Sequence, residues 1–386
     1  MKKSLILVCL LFPGIAAAAP PTPIPGAQKV FREVYDLVAK EYVDKDLSDD
    51  AIWTGAIQGT LDRLVQADGQ KINTLLSPAE LEELQTGISG AVSGVGIIIH
   101  EVEGMVFIRE VLPRGPAAGA GLLAGDRIVS IGGRSVRGLA QPEVLSAIRG
   151  PSGTTVDLVV QRDTDERKVP LTRQTIEVDS AFGAMVGRVA YVRISAFTKR
   201  TAASLDAALA SLAAAKPTGL VVDLRECPGG LFDVALEVSD RFLKKGERIL
   251  SLKRRDGKEE VHVASGKLSL GEVPVVVIFD RHTASSAEIL AAALIDNRGA
   301  RTVGEQTFGK GTVEKVMELD NGWALKLSVA RFYSPKGKSW QGVGIVPDFR
   351  IPSSEESQKR PYSAQAAPKP ELDPQLRAAL SLLASR

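Results

Sequence analysis

Apolar residues near the start of the chain fall three or four positions apart. Phe31, Val34, Tyr35, Val38 and Tyr42 make one such stripe, and a second helical pattern covers Ala51 to Val65. A third begins at Ser77-Pro78-Ala79-Glu80, where Ser77 can cap, Pro78 suits the first turn and Glu80 completes a Ser-x-x-Glu box. These predict a small helical domain over residues 27–88. From Gly94 to Arg162 the pattern shortens to β-like runs (Val95–Ile99, Met105–Val111, Arg127–Ile131, Thr155–Gln161) between Gly-rich turns. From Arg188 to the mid-340s strands and helices alternate. Val189–Ile194 is β-like, and the Ala-rich Leu205–Ala215 helix stops at Lys216-Pro217. Gly219–Leu224 and Val275–Phe279 are nearly continuous apolar runs, as strands buried on both faces require. Helices are expected at Phe232–Leu243 and Ser286–Ile295, which gives an α/β layered core. Ser353–Pro370 is polar and Pro-rich, a linker. Asp373-Pro374 then caps a short helix with Leu376, Ala379, Leu380 and Leu383 on one face, a stripe that docks on the body or on another subunit.

The ends and the charges narrow the setting. Lys2 and Lys3, the apolar stretch Leu5–Phe12, Pro13-Gly14 and the alanines at 16–19 read as a secretory signal. The run is broken well short of the roughly 20 apolar residues that a spanning helix needs. Cleavage near Ala18 or Ala19 removes Cys9 and leaves Cys227 alone, so no internal disulfide is expected. The expected location is a bacterial periplasm, with the mature chain soluble. A net charge of +2 offers no broad basic field for nucleic acid. The Lys253-Arg254-Arg255 cluster is answered by Asp256 and Glu259-Glu260, as in a charged hairpin or loop.

Two residues carry the candidate chemistry. Ser285, in Thr283-Ala284-Ser285-Ser286-Ala287-Glu288, follows a buried strand and opens a small-residue helix. It is either a helix cap or a nucleophile whose oxyanion the helix end would favour. Lys310, in Thr307-Phe308-Gly309-Lys310-Gly311-Thr312, lies between two glycines. It is a solvated turn lysine, part of a phosphate loop, or a general base. The phosphate loop lacks its Ser or Thr, because Gly311 follows the lysine. As a base the amine must be neutral near pH 7, whereas an ordinary lysine, with a pKa of roughly 10.4, is an ammonium; burial in an apolar pocket is the means. His282 is a rival base, read here as structural or substrate-lining, since no Gly-x-Ser-x-Gly elbow surrounds Ser285. His100, His262 and His282 are scattered, so neither a metal nor a cofactor is called for.

In order, Ser93-Gly94-Val95-Gly96-Ile97, Gly115–Leu122, Gly125-Asp126-Arg127-Ile128, Arg149-Gly150 and Gly153–Val156 resemble a PDZ domain. Gly94, Val95, Gly96 and Ile97 would then hold a peptide C-terminus, with the following strand pairing the peptide. From Phe31 to Asp348 the chain resembles the carboxyl-terminal processing proteases. The resemblance rests on the Ser285 and Lys310 stretches and their separation. It also rests on Asp223-Leu224-Arg225-Glu226-Cys227-Pro228-Gly229-Gly230, Lys326-Leu327-Ser328-Val329-Ala330 and Gly344-Ile345-Val346-Pro347-Asp348. It implies a multidomain α/β protein: signal 1–19, helical region 27–88, PDZ domain 89–170, ClpP/crotonase-like protease core 171–352, and linker with terminal helix 353–386. It implies Ser285 as nucleophile, Lys310 as base and an oxyanion hole from the N–H groups of Gly229, Gly230 and Ser286. Substrates would be proteins or peptides with apolar C-termini, with room for an adaptor. Homo-oligomers would form through Phe31–Val65 and Leu376–Leu383. Arg149 is a candidate for coupling the PDZ domain to the core. Three departures stand out. Glu314 occupies the position where the family often has a lysine-orienting glutamine, and a carboxylate there favours the charged lysine. Cys227 replaces the usual asparagine, and the family's Leu-Asp-Pro-His-Ser stretch is absent around Ala67–Leu76. These departures leave a second reading open, an inactive PDZ-bearing peptide-binding scaffold of the cell envelope.

Overall fold

The computed structural model describes residues 24–43, 48–64, 72–353 and 368–384; the signal segment and most of the polar linker lie outside them. The chain divides into two compact units, Met1–Arg63 and Leu64–Arg386. In the first, helices α1 (Ala27–Glu41) and α2 (Asp49–Asp62) meet through Trp53, whose ring lies 5.8 Å from Phe31 and 4.9 Å from Tyr35. Ser48 caps α2 by accepting the Ala51 N–H.

The second unit starts with β1 (Thr74–Leu76) and α3 (Pro78–Ser89), whose Ser77/Glu80 capping box and first-turn proline are as expected. Helix α3 packs on β1 and on β2 (Ala91–Gly94), so it belongs with this body, whereas the sequence pattern grouped it with the two helices before it. A β-rich module follows: β3 (Ile97–Val102), β4 (Met105–Val111), α4 (Pro116–Gly119), β5 (Arg127–Ile131), β6 (Arg134–Ser135), α5 (Gln141–Ile148), β7 (Thr155–Arg162) and β8 (Asp165–Thr172). Its sheet runs β3-β4-β5-β7-β8, which among the described residues leaves one side of β3 unpaired. Strand β9 (Gln174–Glu177) pairs with β2 and closes the module at its neck. Ile108, Val144, Leu158 and Val160 fill its core.

The α/β core contains β10 (Ala181–Val186), β11 (Val189–Ile194), α6 (Thr201–Ala214), β12 (Gly219–Asp223), α7 (Phe232–Asp240), β13 (Arg248–Arg254), β14 (Glu259–Val263), β15 (Val275–Phe279), α8 (Ser286–Arg298), β16 (Arg301–Gly304), β17 (Thr312–Glu318), β18 (Ala324–Tyr333) and β19 (Phe349–Arg350). A six-stranded sheet runs β10-β11-β12-β15-β16-β19, parallel except for β10. Its central runs alternate between two buried faces. Leu220, Val222, Val275 and Val277 join the core that holds α7 and α8, while Val221, Val276, Ile278 and Val303 meet the C-terminal helix Pro374–Ala384. A second, antiparallel sheet, β1-β18-β13-β14 with β17 on β18, packs on α8 from the other side. The charged 253–260 segment is the β13–β14 hairpin, with Arg254 paired to Glu260.

The terminal stripe of Leu376, Ala379 and Leu383 is buried against its own sheet, so it is not free to serve as the subunit interface allowed for Leu376–Leu383. Polar bonds lock the same contact. The buried Arg225 guanidinium reaches Asp223, Asp373 and Gln375, and Tyr191 donates to Asp223 at 2.7 Å. Arg225 opens the stretch that leads to Gly229-Gly230, so the terminal helix braces that turn from below.

Candidate active site

The buried strand β15 ends at Phe279, and a tight turn carries the chain to Ser285, the residue before α8. Asp280 organises this turn. Its carboxylate accepts the N–H groups of Glu226, His282 and Thr283 at 3.0–3.1 Å, which also ties in the 225–230 stretch. Burial raises the Asp280 carboxyl, against the pull of those hydrogen bonds. Ser285 is buried and adopts φ 55°, ψ −118°, a conformation that L-residues avoid and that concentrates at functional sites. Gly229 lies so close that a Cβ there would sit 2.9 Å from the Ser285 Cβ and 2.6 Å from the Ala284 carbonyl oxygen. Gly230 is tighter still, since its Cβ would meet the Phe197 carbonyl oxygen at 2.1 Å. Phe197 N donates to Gly229 O, Leu231 N donates to Phe197 O, and the Ser286 hydroxyl donates to Gly230 O at 3.0 Å. Ser286, as the first helical residue, has an N–H without an intrahelical partner. The Gly229-Gly230 turn and the start of α8 therefore flank one point beside Ser285.

The lysine segment reaches this place through one carboxylate. Glu288, fully buried on α8, receives four donors. Its Oε2 accepts Ser285 N at 2.8 Å and Lys310 N at 2.9 Å, and its Oε1 accepts the Thr307 hydroxyl at 2.5 Å and Gly309 N at 2.8 Å. Burial pushes the Glu288 carboxyl up to about 7, while all four hydrogen bonds oppose that rise. Ser285 and Lys310 are thus brought together by bonds from both their backbones to a single oxygen. Their side chains are not bonded: among the described residues no hydrogen bond joins the Ser285 hydroxyl to the lysine amine. The Lys310 amine is 2.5 Å from Glu314 Oε2, an ion pair, and Thr312 steadies the other Glu314 oxygen at 2.8 Å. Trp340 donates to the Lys310 carbonyl, and the Gln341 side chain accepts Gly311 N.

His282 Nδ1 bonds Glu226 at 2.8 Å and its ring is half exposed; no hydrogen bond to Ser285 is found among the described residues. Glu226, Asp280 and His282 bring potential ligand atoms within 4.8 Å of one another. Backbone donors and the Glu226–His282 bond already occupy them, so they brace the turn. Burial pushes the Cys227 thiol up to about 12, which keeps it protonated. In the β-rich module, Val95 is buried and the carbonyls of Val95 and Gly96 accept Ala117 N and Leu112 N, fixing the loop ahead of the unpaired edge of β3. Arg149, just after α5, pairs with Glu83 of α3.

Residues 188–351 match the model of peptidase family S41, and residues 107–162 match that of the PDZ domain. The carboxy-terminal-processing protease of Bartonella bacilliformis is 32% identical over 331 residues, covering 83% of this chain and 74% of that protein. The chain belongs to the carboxy-terminal processing proteases. The carboxy-terminal processing protease CtpA of Bacillus subtilis is also 32% identical, covering 82% and 67% respectively. The solved photosystem II D1 C-terminal processing protease superposes with a TM-score of 0.53 at 28% identity, over 84% of this chain and 93% of that one. Like its family, this carboxy-terminal processing protease is a serine-type peptidase with a PDZ domain.

Glu288 was not singled out by the sequence as part of the site. Its signals are the Ser-x-x-Glu spacing, which any helix start can carry, and its place at the end of the Thr283–Glu288 stretch. Lys326 was recognised only as part of a closing stretch. It is half-buried, and burial first, then the like charge of Lys310, lowers its ammonium pKa, with Glu314 opposing.

Proposed function

We propose that the chain is an exported endopeptidase that cuts proteins near their C-termini, with Ser285 as nucleophile and Lys310 as base. The observation that carries this reading is the shared carboxylate. Glu288 holds the backbones of both residues and so fixes the strained serine and the lysine loop as one unit. A neutral Lys310 takes the Ser285 hydroxyl proton as the oxygen attacks the peptide carbonyl. The N–H groups of Gly229, Gly230 and Ser286 receive the oxyanion. Collapse breaks the C–N bond, the leaving amine takes the proton from Lys310, and water hydrolyses the acyl-enzyme. Gly94, Val95, Gly96 and Ile97 hold the substrate's apolar tail, and β3 offers it an unpaired edge. Arg149, through Glu83, links tail binding to α3 and so to the body of the protease. Export rests on Lys2, Lys3, the Leu5–Phe12 run and the alanines at 16–19, and it places the mature protein in the periplasm.

The test is cleavage of an unfolded protein with an apolar C-terminus by wild type, Ser285→Ala, Lys310→Ala and His282→Ala. Loss in the first two variants with retention in the third is expected. Loss in His282→Ala with activity kept in Lys310→Ala would transfer the base to the histidine. A second reading, an inactive scaffold that only binds C-terminal tails, draws on the Lys310–Glu314 ion pair. No cleavage by wild type, with tail binding intact and cell-envelope extract added, would favour it.

A further inference from the structure

The ion pair that ties Lys310 to Glu314 opposes the base chemistry, and β18 holds a residue placed to relieve it. In the β17–β18 ladder Glu314 stands opposite Ser328 and Val316 opposite Lys326. Side chains two apart on a strand share a face, so Lys326 is the diagonal neighbour of Glu314, a separation of roughly 7–8 Å between backbones that long side chains bridge. Lys326 is half-buried and, among the described residues, forms no ion pair of its own. Its neighbour across β1 is the uncharged Thr74. The next residue of β17, Lys315, faces the other side opposite Leu327, and Glu288 of α8 is occupied by backbone donors. The charges that face one another here are therefore Lys310, Glu314 and Lys326: two cations around one carboxylate.

We infer that Lys326 is a positioning residue that takes up the Glu314 carboxylate, so that Lys310 can lose its proton beside a glutamate. This rests on the Ser/Lys reading. With Glu314 satisfied by Lys326, Lys310 faces a neutral pair and its own ammonium is the surplus charge. Without Lys326 the carboxylate has Lys310 as its cation, beside the Thr312 hydroxyl, and holds it protonated. The ion pair seen here is then the resting arrangement, and transfer of Glu314 between the two amines is the step that arms the base.

The experiment is the pH–rate profile of wild type, Lys326→Met, Glu314→Gln and the double variant, with Lys326→Arg as the charge-conserving control. In Lys326→Met the acid limb should move up by about one pH unit, with about a tenfold loss at pH 7. In Glu314→Gln it should move down. The double variant should return towards wild type, and Lys326→Arg should keep the wild-type limb. A limb that stays in place in Lys326→Met while kcat falls equally at every pH would make Lys326 a packing residue only and overturn the inference. So would an equal loss from Lys326→Met in the Glu314→Gln background. Activity retained by Lys310→Ala would instead overturn the Ser/Lys reading itself, and the inference with it.

Discussion

The chain contains two Ser-x-x-Glu helix starts, Ser77–Glu80 on α3 and Ser285–Glu288 on α8, and they have become different objects. Ser77 has ordinary extended geometry (φ −67°, ψ 162°). Its hydroxyl accepts Glu80 N, and the Glu80 side chain returns to Ser77 N at 2.8 Å in the open. Ser285 is twisted to φ 55°, and among the described residues only the return bond from Ser285 N to Glu288 remains, buried and joined by three donors from the lysine loop. In the first box the serine works for the helix; in the second its hydroxyl is released from capping. The difference comes from surroundings. Asp280 and the Gly229-Gly230 turn dictate the backbone of one serine, whereas the capping bonds of the other run to Glu80 of its own helix.

Exchanging the serines should separate the two roles most sharply. Ser285→Ala should remove cleavage by on the order of 10⁴-fold or more while leaving stability almost unchanged. Ser77→Ala should leave cleavage intact and cost about 1 kcal/mol in urea unfolding. Ser285→Gly should be inactive and yet more stable by about 1 kcal/mol, because glycine accepts the positive φ without strain. A stability loss in Ser285→Ala matching that of Ser77→Ala would return Ser285 to capping.

The adjacent turn offers the next largest effect. Gly230→Ala puts a methyl group against the Phe197 carbonyl oxygen, where the gap is 2.1 Å. The turn must shift, and if the Gly230 N–H is the proposed oxyanion donor its displacement costs roughly 10²–10³ in kcat. Substrate-tail binding to the PDZ domain should be untouched. Wild-type kcat in this variant would move the oxyanion hole elsewhere.

Much of this architecture was legible in the chain. The strands Arg127–Ile131 and Val275–Phe279 occur at the predicted residues because apolar runs bounded by turn residues admit few alternatives. The terminal stripe of Leu376, Ala379 and Leu383 announced a docking face, and its docking partner is the chain's own sheet. The role of Glu288 was not legible. A local motif reports the spacing of serine and glutamate, not whether a loop about twenty positions later will close over the carboxylate. The same holds for Lys326, whose importance depends on the register of a hairpin that no single residue specifies.

The last effect expected is the one that reads the two glutamates directly. Hydrogen bonds from Ser77 lower the Glu80 carboxyl below its usual 4.5, so its contribution to stability is present above that pH and fades as the solution is acidified. Glu288 runs the other way. With its folded value near 7 against 4.5 when unfolded, the native state holds the proton more tightly between those limits. Its contribution is fully present below pH 4.5 and is lost as pH rises through 7, by about 3 kcal/mol at most. Urea unfolding from pH 4 to 8 should therefore show Glu288→Gln lacking a decline that wild type has on the neutral side. Glu80→Gln should lack only a weak decline on the acid side, small because that pair is exposed and screened. Because Glu288→Gln also presents an amide to four donors, it should be less stable than wild type at every pH and slower in cleavage. The slope, rather than the offset, carries the test. Parallel curves for wild type and Glu288→Gln would mean that Glu288 stays a carboxylate throughout, held by its donors against burial.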